Sequence, residues 1–270
     1  MAMWSDRKDF IFKAVEEMYT DVASRPGAVF HFPTGRLACL FVGYSADQLD
    51  CLPPEATESF AGVGCPFEAD VIREGDVVLD VGSGSGTDVL IAAMLTGPTG
   101  TVHALDMTRA MRDKLRRNAA AMKAANVHVL EGNAEQIPLA DASVDVVTSN
   151  GVLNLVPDKR TAFGEIARVL KPGGRLQIAD IALRMPVLEQ SHADPRLWAE
   201  CVVGAIVRDD YVSLLKAAGL DVEVIGEMDY FAGSVSASTR RAARGLGAHA
   251  IVMRGRRHSS ACALEEPERS

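Results

Sequence analysis

The residues of this chain best suited to chemistry are acids and small polar side chains that close short apolar runs. Asp80 stands just before Gly82-Ser83-Gly84-Ser85-Gly86. Asp106 closes the next apolar run, Asn133-Ala134-Glu135 follows a third, and Ser149-Asn150 closes a fourth. Glycine at alternate positions permits positive φ and lets a ligand come close to the main chain. The spacing is G-x-G-x-G, whereas a dinucleotide turn wants its third glycine one place later. An acid after the second run offers an acceptor for ribose hydroxyls. Asn133 offers a polar edge for adenine, and carboxylates beside a glycine turn favour a cationic group. Between Asp76 and Met107 there is no Lys or Arg to meet a pyrophosphate.

A nucleoside carrying positive charge and lacking phosphate fits this set. S-adenosylmethionine, with a sulfonium and an amino group, is such a ligand. An NAD-type oxidoreductase fits less well, although a helix N-terminus can still attract an anion.

These groups need a scaffold that brings strand ends to one edge. Asp76–Val81 is short and β-branched, as a buried parallel strand should be. The apolar helix Val89–Leu95 follows the glycine turn, and Gly97-Pro98-Thr99-Gly100 turns the chain. Further strands are expected at 101–106, 127–131, 144–149 and 175–181. Helices are expected from Thr108 to Ala125 and from Pro157 to Leu170, the latter closed by a turn at Lys171-Pro172-Gly173-Gly174. A helical insert over about 186–207, a helix at 209–218, a strand at 220–225, a helix at 236–246 and a last strand at 248–254 complete the pattern. Strands alternating with helices predict an α/β fold, a doubly wound and mostly parallel seven-stranded sheet whose terminal strand runs antiparallel. Right-handed crossovers then gather the strand-end loops on one edge. Ahead of this core, residues 5–24 read as an amphipathic helix, and 28–67 as a Gly-, Pro- and aromatic-rich segment wrapped over that edge. The expected division is a cap at 1–67, a catalytic domain at 68–255 and a polar, frayed tail at 256–270.

The chain has 270 residues, 28 basic against 36 acidic side chains and a formal charge of −8, which disfavours nucleic acid as the main partner. It shows no apolar run of about 20 residues to span a bilayer and no secretory signal, so a cytoplasmic location without membrane attachment is expected. Five scattered cysteines without a CxxC pair point to reduced thiols. Oligomeric state is not legible.

Taken together, LDVGSGSG, the acid in HALDMT, GNAEQIPL, DVVTSN and RVLKPGGRL resemble class I S-adenosylmethionine-dependent methyltransferases, from about Asp76 to Arg254. The resemblance implies that Asp80, Gly82, Ser83, Gly84 and Gly86 hold the methionine end, with Ser149 beside them. It implies Asp106 at the ribose, Met107 lining the adenine pocket, and Asn133 and Ala134 at the adenine ring. A narrower resemblance, carried by GVGCPF, SNGVLNLVPDK and LWAECVVGA, is to arsenite methyltransferases.

In that family cysteine thiolates hold trivalent arsenic, soft ligand on soft acceptor. Cys65 and Cys201 match two of its cysteines, and a third falls at Gly151. The expected catalytic set is Cys65, Cys201 and Asn150, with no resident metal and the two thiolates as arsenic ligands. Gly151 also opens space for a bulkier organic acceptor, with Trp198, Phe60, Phe67 and Tyr211 as candidate walls. Cys39 or Cys51 could stand in for the missing thiol, though free cysteines often only pack. His31 and His192 are candidates for acid–base work. The expected function is methyl transfer from S-adenosylmethionine to a small-molecule acceptor, organic or arsenical. The remaining alternative is a protein that binds the donor without methylating.

Overall fold

The structure is a computed structural model, and it describes residues 2–187 and 204–259. Trp198, Cys201, His192, Cys262 and most of the expected insert lie outside the described residues.

The core strands are β1 (Val77–Val81), β2 (Thr101–Asp106), β3 (Val127–Glu131), β4 (Val144–Asn150) and β5 (Leu170–Leu183). The two-residue β6 (Ile206–Val207), β7 (Leu220–Met228) and β8 (His249–Arg257) follow. They form one sheet in the order β3-β2-β1-β4-β5-β8-β7, with β6 pairing β5. The five core strands run parallel, and β8 is antiparallel to both β5 and β7. The mostly parallel sheet is as expected, with β6 as an eighth, very short strand. Strand order reverses between β1 and β4, and that switch point opens a crevice at the carboxyl ends of the strands.

Sequence explains the central elements directly. In β1 and β4 nearly every side chain is buried, because helices cover both faces. The helix after the glycine turn, α5 (Thr87–Thr96), is apolar almost all round and sits inside the fold. The helix α6 (Arg109–Ala121) ends four residues before Ala125, because Lys123 turns left-handed at φ 55°. The helix α7 (Lys159–Val169) starts at an Asp158 cap, whose carboxylate accepts from the Thr161 amide. The expected turn at 171–174 lies within β5 instead. It bulges out between Leu170, opposite Val144, and Arg175, opposite Val146. The strand β8 continues to Arg257, so the start of the expected tail is paired sheet. The helices α8 (Arg208–Ala217) and α9 (Ala237–Leu246) complete the second half.

The N-terminal segment holds α1 (Ala2–Ser24) and three short helices, α2 (Gly35–Phe41), α3 (Ala46–Asp50) and α4 (Pro54–Glu58). Its apolar side chains Ile11, Val15, Val22, Phe32, Leu49 and Phe60 are buried in one cluster with Leu90, Ile91 and Met111 of the core domain. It shares a hydrophobic core with the sheet and its helices.

A buried polar post fixes the loop after β4. Asp180 accepts the Tyr211 hydroxyl at 2.7 Å and the Asn154 amide at 2.8 Å. The Lys159 ammonium donates to the carbonyls of Asn154 and Val156 at 3.0 and 2.9 Å. Burial pushes Asp180 up to about 6 and Lys159 down to about 8. Tyr211 belongs to this post and is not a pocket wall. Tyr211→Phe should lower stability by about 1–3 kcal/mol, read from urea unfolding. An unchanged midpoint would show that the hydroxyl contributes nothing.

Candidate active site

The crevice at the switch point is a pocket with three kinds of wall. The glycine turn and the start of α5 supply backbone and the acids Asp80 and Asp88. The loops after β2 and β3 supply Asp106, Met107, Asn133 and Ala134. Phe12, Val15 and Tyr19 of α1, with Phe60, Val152 and Leu155, supply the apolar wall.

The turn is tight for a steric reason. A Cβ at Gly82 would lie 2.2 Å from Val152 Cγ2, and the residue sits at φ +78°. Only glycine fits there. Asp106 fastens the turn from across the pocket. One carboxylate oxygen accepts the Gly84 amide at 2.8 Å and the other the Thr108 amide at 2.7 Å. Burial still raises its pKa, against the pull of those two amides. Arg112 holds the main chain behind it by donating to the carbonyls of Asp106 and Met107. Asn133 Oδ1 accepts the Glu135 amide at 2.9 Å, which leaves its amide nitrogen as the group for an incoming ring.

Asp80 and Asp88 are only 2 % and 7 % exposed. Burial, then the charge of Asp88, raises Asp80 well above the usual carboxylate range. Burial pushes Asp88 up to about 6, opposed by hydrogen bonds from Tyr44 and Asn150. No cation forms an ion pair with either acid among the described residues.

Asn150 is a strut between β4 and the N-terminal segment. Its Oδ1 accepts the amides of Val63 and Gly64 at 2.8 and 3.3 Å. Its Nδ2 lies 2.9 Å from the Gly64 carbonyl, 3.0 Å from Tyr44 Oη and 3.1 Å from Asp88 Oδ2. The Tyr44 hydroxyl in turn donates to Asp88 Oδ1. The segment is fastened elsewhere too. Ser85 and Thr87 donate to the Ala56 carbonyl at 2.7 and 2.8 Å, and Lys114 reaches Glu58 and Ser59 at 2.9 and 2.8 Å.

The structure therefore brings Asp80, Gly82, Ser83, Gly84, Asp106, Met107, Asn133, Ala134 and Asn150 to one pocket. Gly86 starts α5 at φ +101° and lies just behind the wall. Other expected residues lie off the pocket wall. Ser149 is fully buried in the sheet, where its hydroxyl donates to the Val81 carbonyl at 3.0 Å, because side chains alternate along β4 and its own points away. Cys65 is buried in the hydrophobic cluster behind the wall and does not line the pocket. Burial, then the charge of Asp88, pushes its thiol up to about 12. Cys39 is buried too, with its pKa raised by the same two causes, while Cys51 is exposed at the end of α3. Phe60 lines the pocket, whereas Phe67 and His31 do not. Sequence reasoning missed Asp88, Tyr44 and the α1 face. Asp88 had one signal, an acid in the first turn of the helix that follows the glycines.

A crevice at the switch point of such a sheet suits a nucleoside ligand, and comparison with known proteins gives the class. Residues 72–219 match the family model described as a methyltransferase domain, and the chain belongs to that S-adenosylmethionine-dependent methyltransferase family. Its kinship there is with arsenite methyltransferases. One from Halobacterium salinarum is 39 % identical over 190 residues, 70 % of this chain and 48 % of the relative. The human one is 33 % identical over 165 residues, 58 % of this chain and 44 % of the relative. The chain spans about half the length of these curated relatives. The crystal structure of an arsenic(III) S-adenosylmethionine methyltransferase from Chlamydomonas reinhardtii is similar at TM-score 0.67 and 30 % identity, covering 86 % of this chain and 76 % of that one.

Two outcomes follow from the strut and the acids. Asn150→Ala orphans the Val63 and Gly64 amides, and should cost about 2–3 kcal/mol and speed limited proteolysis within 28–67. A variant with wild-type stability and cleavage would remove the strut. Asp88 holds its proton up to about pH 6 when folded, against an ordinary value of 3.8. The folded state thus binds the proton more tightly than the unfolded state. The stability from this group is full below about pH 4 and lost as pH rises through about 6. The stability of Asp88→Asn relative to wild type should improve from pH 4 to pH 6.5, read in urea without ligand. A difference that stays constant, or moves in favour of wild type, over that range would contradict the assignment.

Proposed function

We propose that this chain transfers the methyl group of S-adenosylmethionine to a small-molecule acceptor with an apolar body. The observation that carries this reading is the pocket itself, with buried acids that have no paired cation among the described residues at one side and an aromatic and aliphatic wall at the other. Asp106 would hold the ribose hydroxyls, Met107 and Ala134 the adenine faces, Asn133 its edge, and the glycine turn the methionine backbone. The apolar wall excludes water and holds the acceptor in line with the methyl, which supplies most of what this reaction asks of a protein. Residues 1–67 act as a fixed cap, and 68–255 as the catalytic domain. No helix among the described residues is long and apolar enough to cross a membrane, and we place the protein in the cytoplasm, with small molecules rather than nucleic acid as partners.

A second reading, a trivalent-arsenic acceptor, is favoured by the kinship. Against it stands the position of Gly151. It sits at φ +70°, and a Cβ there would meet Val63 Cγ1 at 3.2 Å, so a side chain would be strained and would press on the cap. Burial also raises the pKa of the Cys65 thiol, which lies behind the wall.

Transfer of labelled methyl to a set of small apolar nucleophiles, and to arsenite with excess thiol, separates the readings. Asp106→Ala should lower transfer at limiting donor by about tenfold or more. Transfer to arsenite that vanishes in Cys65→Ser would favour the second reading. A donor that binds with no transfer to any acceptor would mean a non-methylating binder.

A further inference from the structure

Asp88 is a buried acid that the donor pocket does not obviously need. Other buried acids of this fold are answered by cations. Asp76 pairs with Arg175 at 2.6 Å, and Asp180 lies in the field of Lys159. Asp80 and Asp88 line one pocket and have no such partner among the described residues. The titratable groups around them are Asp106, Tyr44, Cys39 and Cys65, none of them cationic. Two buried carboxylates lining one pocket disfavour each other's ionised form until positive charge arrives.

We propose that Asp88 is a second donor-recognition residue, and that Asp80 and Asp88 together take the two positive charges of S-adenosylmethionine and hold its product, which keeps only the ammonium, less well. This rests on the reading of the pocket as a donor site. Tyr44 and Asn150 aim Asp88 by one hydrogen bond to each carboxylate oxygen, and leave further lone pairs free. The donor brings a sulfonium, an ammonium and one carboxylate, and the free amides at the start of α5 suit the last. On transfer the methyl carbon bonds to the acceptor's electron pair. The carbon–sulfur bond breaks, its electrons stay on sulfur, and the sulfonium becomes a neutral thioether. Two carboxylates then face one ammonium. The pair must take up a proton or repel what remains, so the site favours substrate over product by charge count.

Donor and product binding therefore differ in protons. Burial raises both acids, and the charge of Asp88 raises Asp80 further, so the pair retains protons before a ligand binds. The donor expels those protons, whereas the product permits one to stay. Isothermal titration calorimetry of the full chain tests this with S-adenosylmethionine and S-adenosylhomocysteine, in buffers of different ionisation enthalpy between pH 6 and 8. The donor should release about one proton more than the product. Product affinity should fall with rising pH by up to about tenfold per unit while donor affinity does not. Asp88→Asn should weaken the donor by about tenfold or more, leave the product within about threefold, and abolish the proton difference.

Equal proton release and parallel pH profiles for the two ligands in the wild type overturn the inference without any variant. So does an Asp88→Asn protein that weakens both ligands alike, which would make Asp88 a strut only. Wild type that binds neither ligand overturns the donor-site reading instead.

Discussion

The geometry of this pocket depends on one side chain being satisfied from several directions. Asn150 ends β4 at the switch point of the sheet, and its amide meets two backbone amides, a carbonyl, a phenol and a carboxylate. A buried primary amide offers two donors and accepts through two lone pairs. Both acceptor sites and both donors of Asn150 are engaged, three acceptors sharing the two hydrogens. Its partners belong to the Gly62–Cys65 loop, the turn after α2 and the first turn of α5. Losing the amide would leave several of them unpaired inside the protein, and an unpaired buried group costs far more than a hydrogen bond contributes. The segment over the crevice is thus fixed by saturation of polar groups as much as by its apolar cluster. A lid free to open would need weaker ties than these.

This changes the place of Asn150 in the chemistry. As a strand-end polar residue it reads in sequence as a group aimed at substrate. In the fold it has no capacity left for one, and it serves by holding Asp88 and the cap. Asp106 is the contrasting case. Its two oxygens each accept one backbone amide, so lone pairs remain free for a ligand's donors. Both residues sit at strand ends on the pocket. They differ because one is an amide beneath a packed loop and the other an acid beside an open turn.

The core domain was largely legible because its signals are local. Short β-branched runs, glycine turns and helices at regular spacing give the parallel order, and strand ends give Asp80, Asp106 and Asn133. Boundaries slipped where a single backbone angle or a bulge decided them, as at Lys123 and at 171–174. Ser149 was misplaced because it neighbours Asn150 in sequence, yet successive strand residues face opposite sides. Tyr44 could not be found at all. It meets Asp88 across 44 residues and Asn150 across 106, and no local pattern carries such a contact. The α1 face escaped for the same reason: amphipathic spacing announces a buried stripe without saying that part of the stripe borders a cavity.

The acceptor question turns on what kind of nucleophile can work in this pocket. A neutral hydroxyl or carbon acid needs a base as it attacks. Burial raises Asp80 and Asp106, Asp88 is engaged by Tyr44 and Asn150, and Tyr44 is raised far above its ordinary value by burial and by Asp88. None of these is a strong base at neutral pH. A nucleophile that arrives with its lone pair ready, such as a thiolate, an amine or a trivalent arsenical, asks for no proton acceptor. It asks only for alignment and a dry wall, and Phe60, Val152 and Leu155 supply that wall. For arsenic the protein must also supply thiolates, and Cys65 enters that role only by giving up a proton that burial holds tightly. Under the proposed reading, the pocket takes a soft or already ionised acceptor brought in by its apolar body.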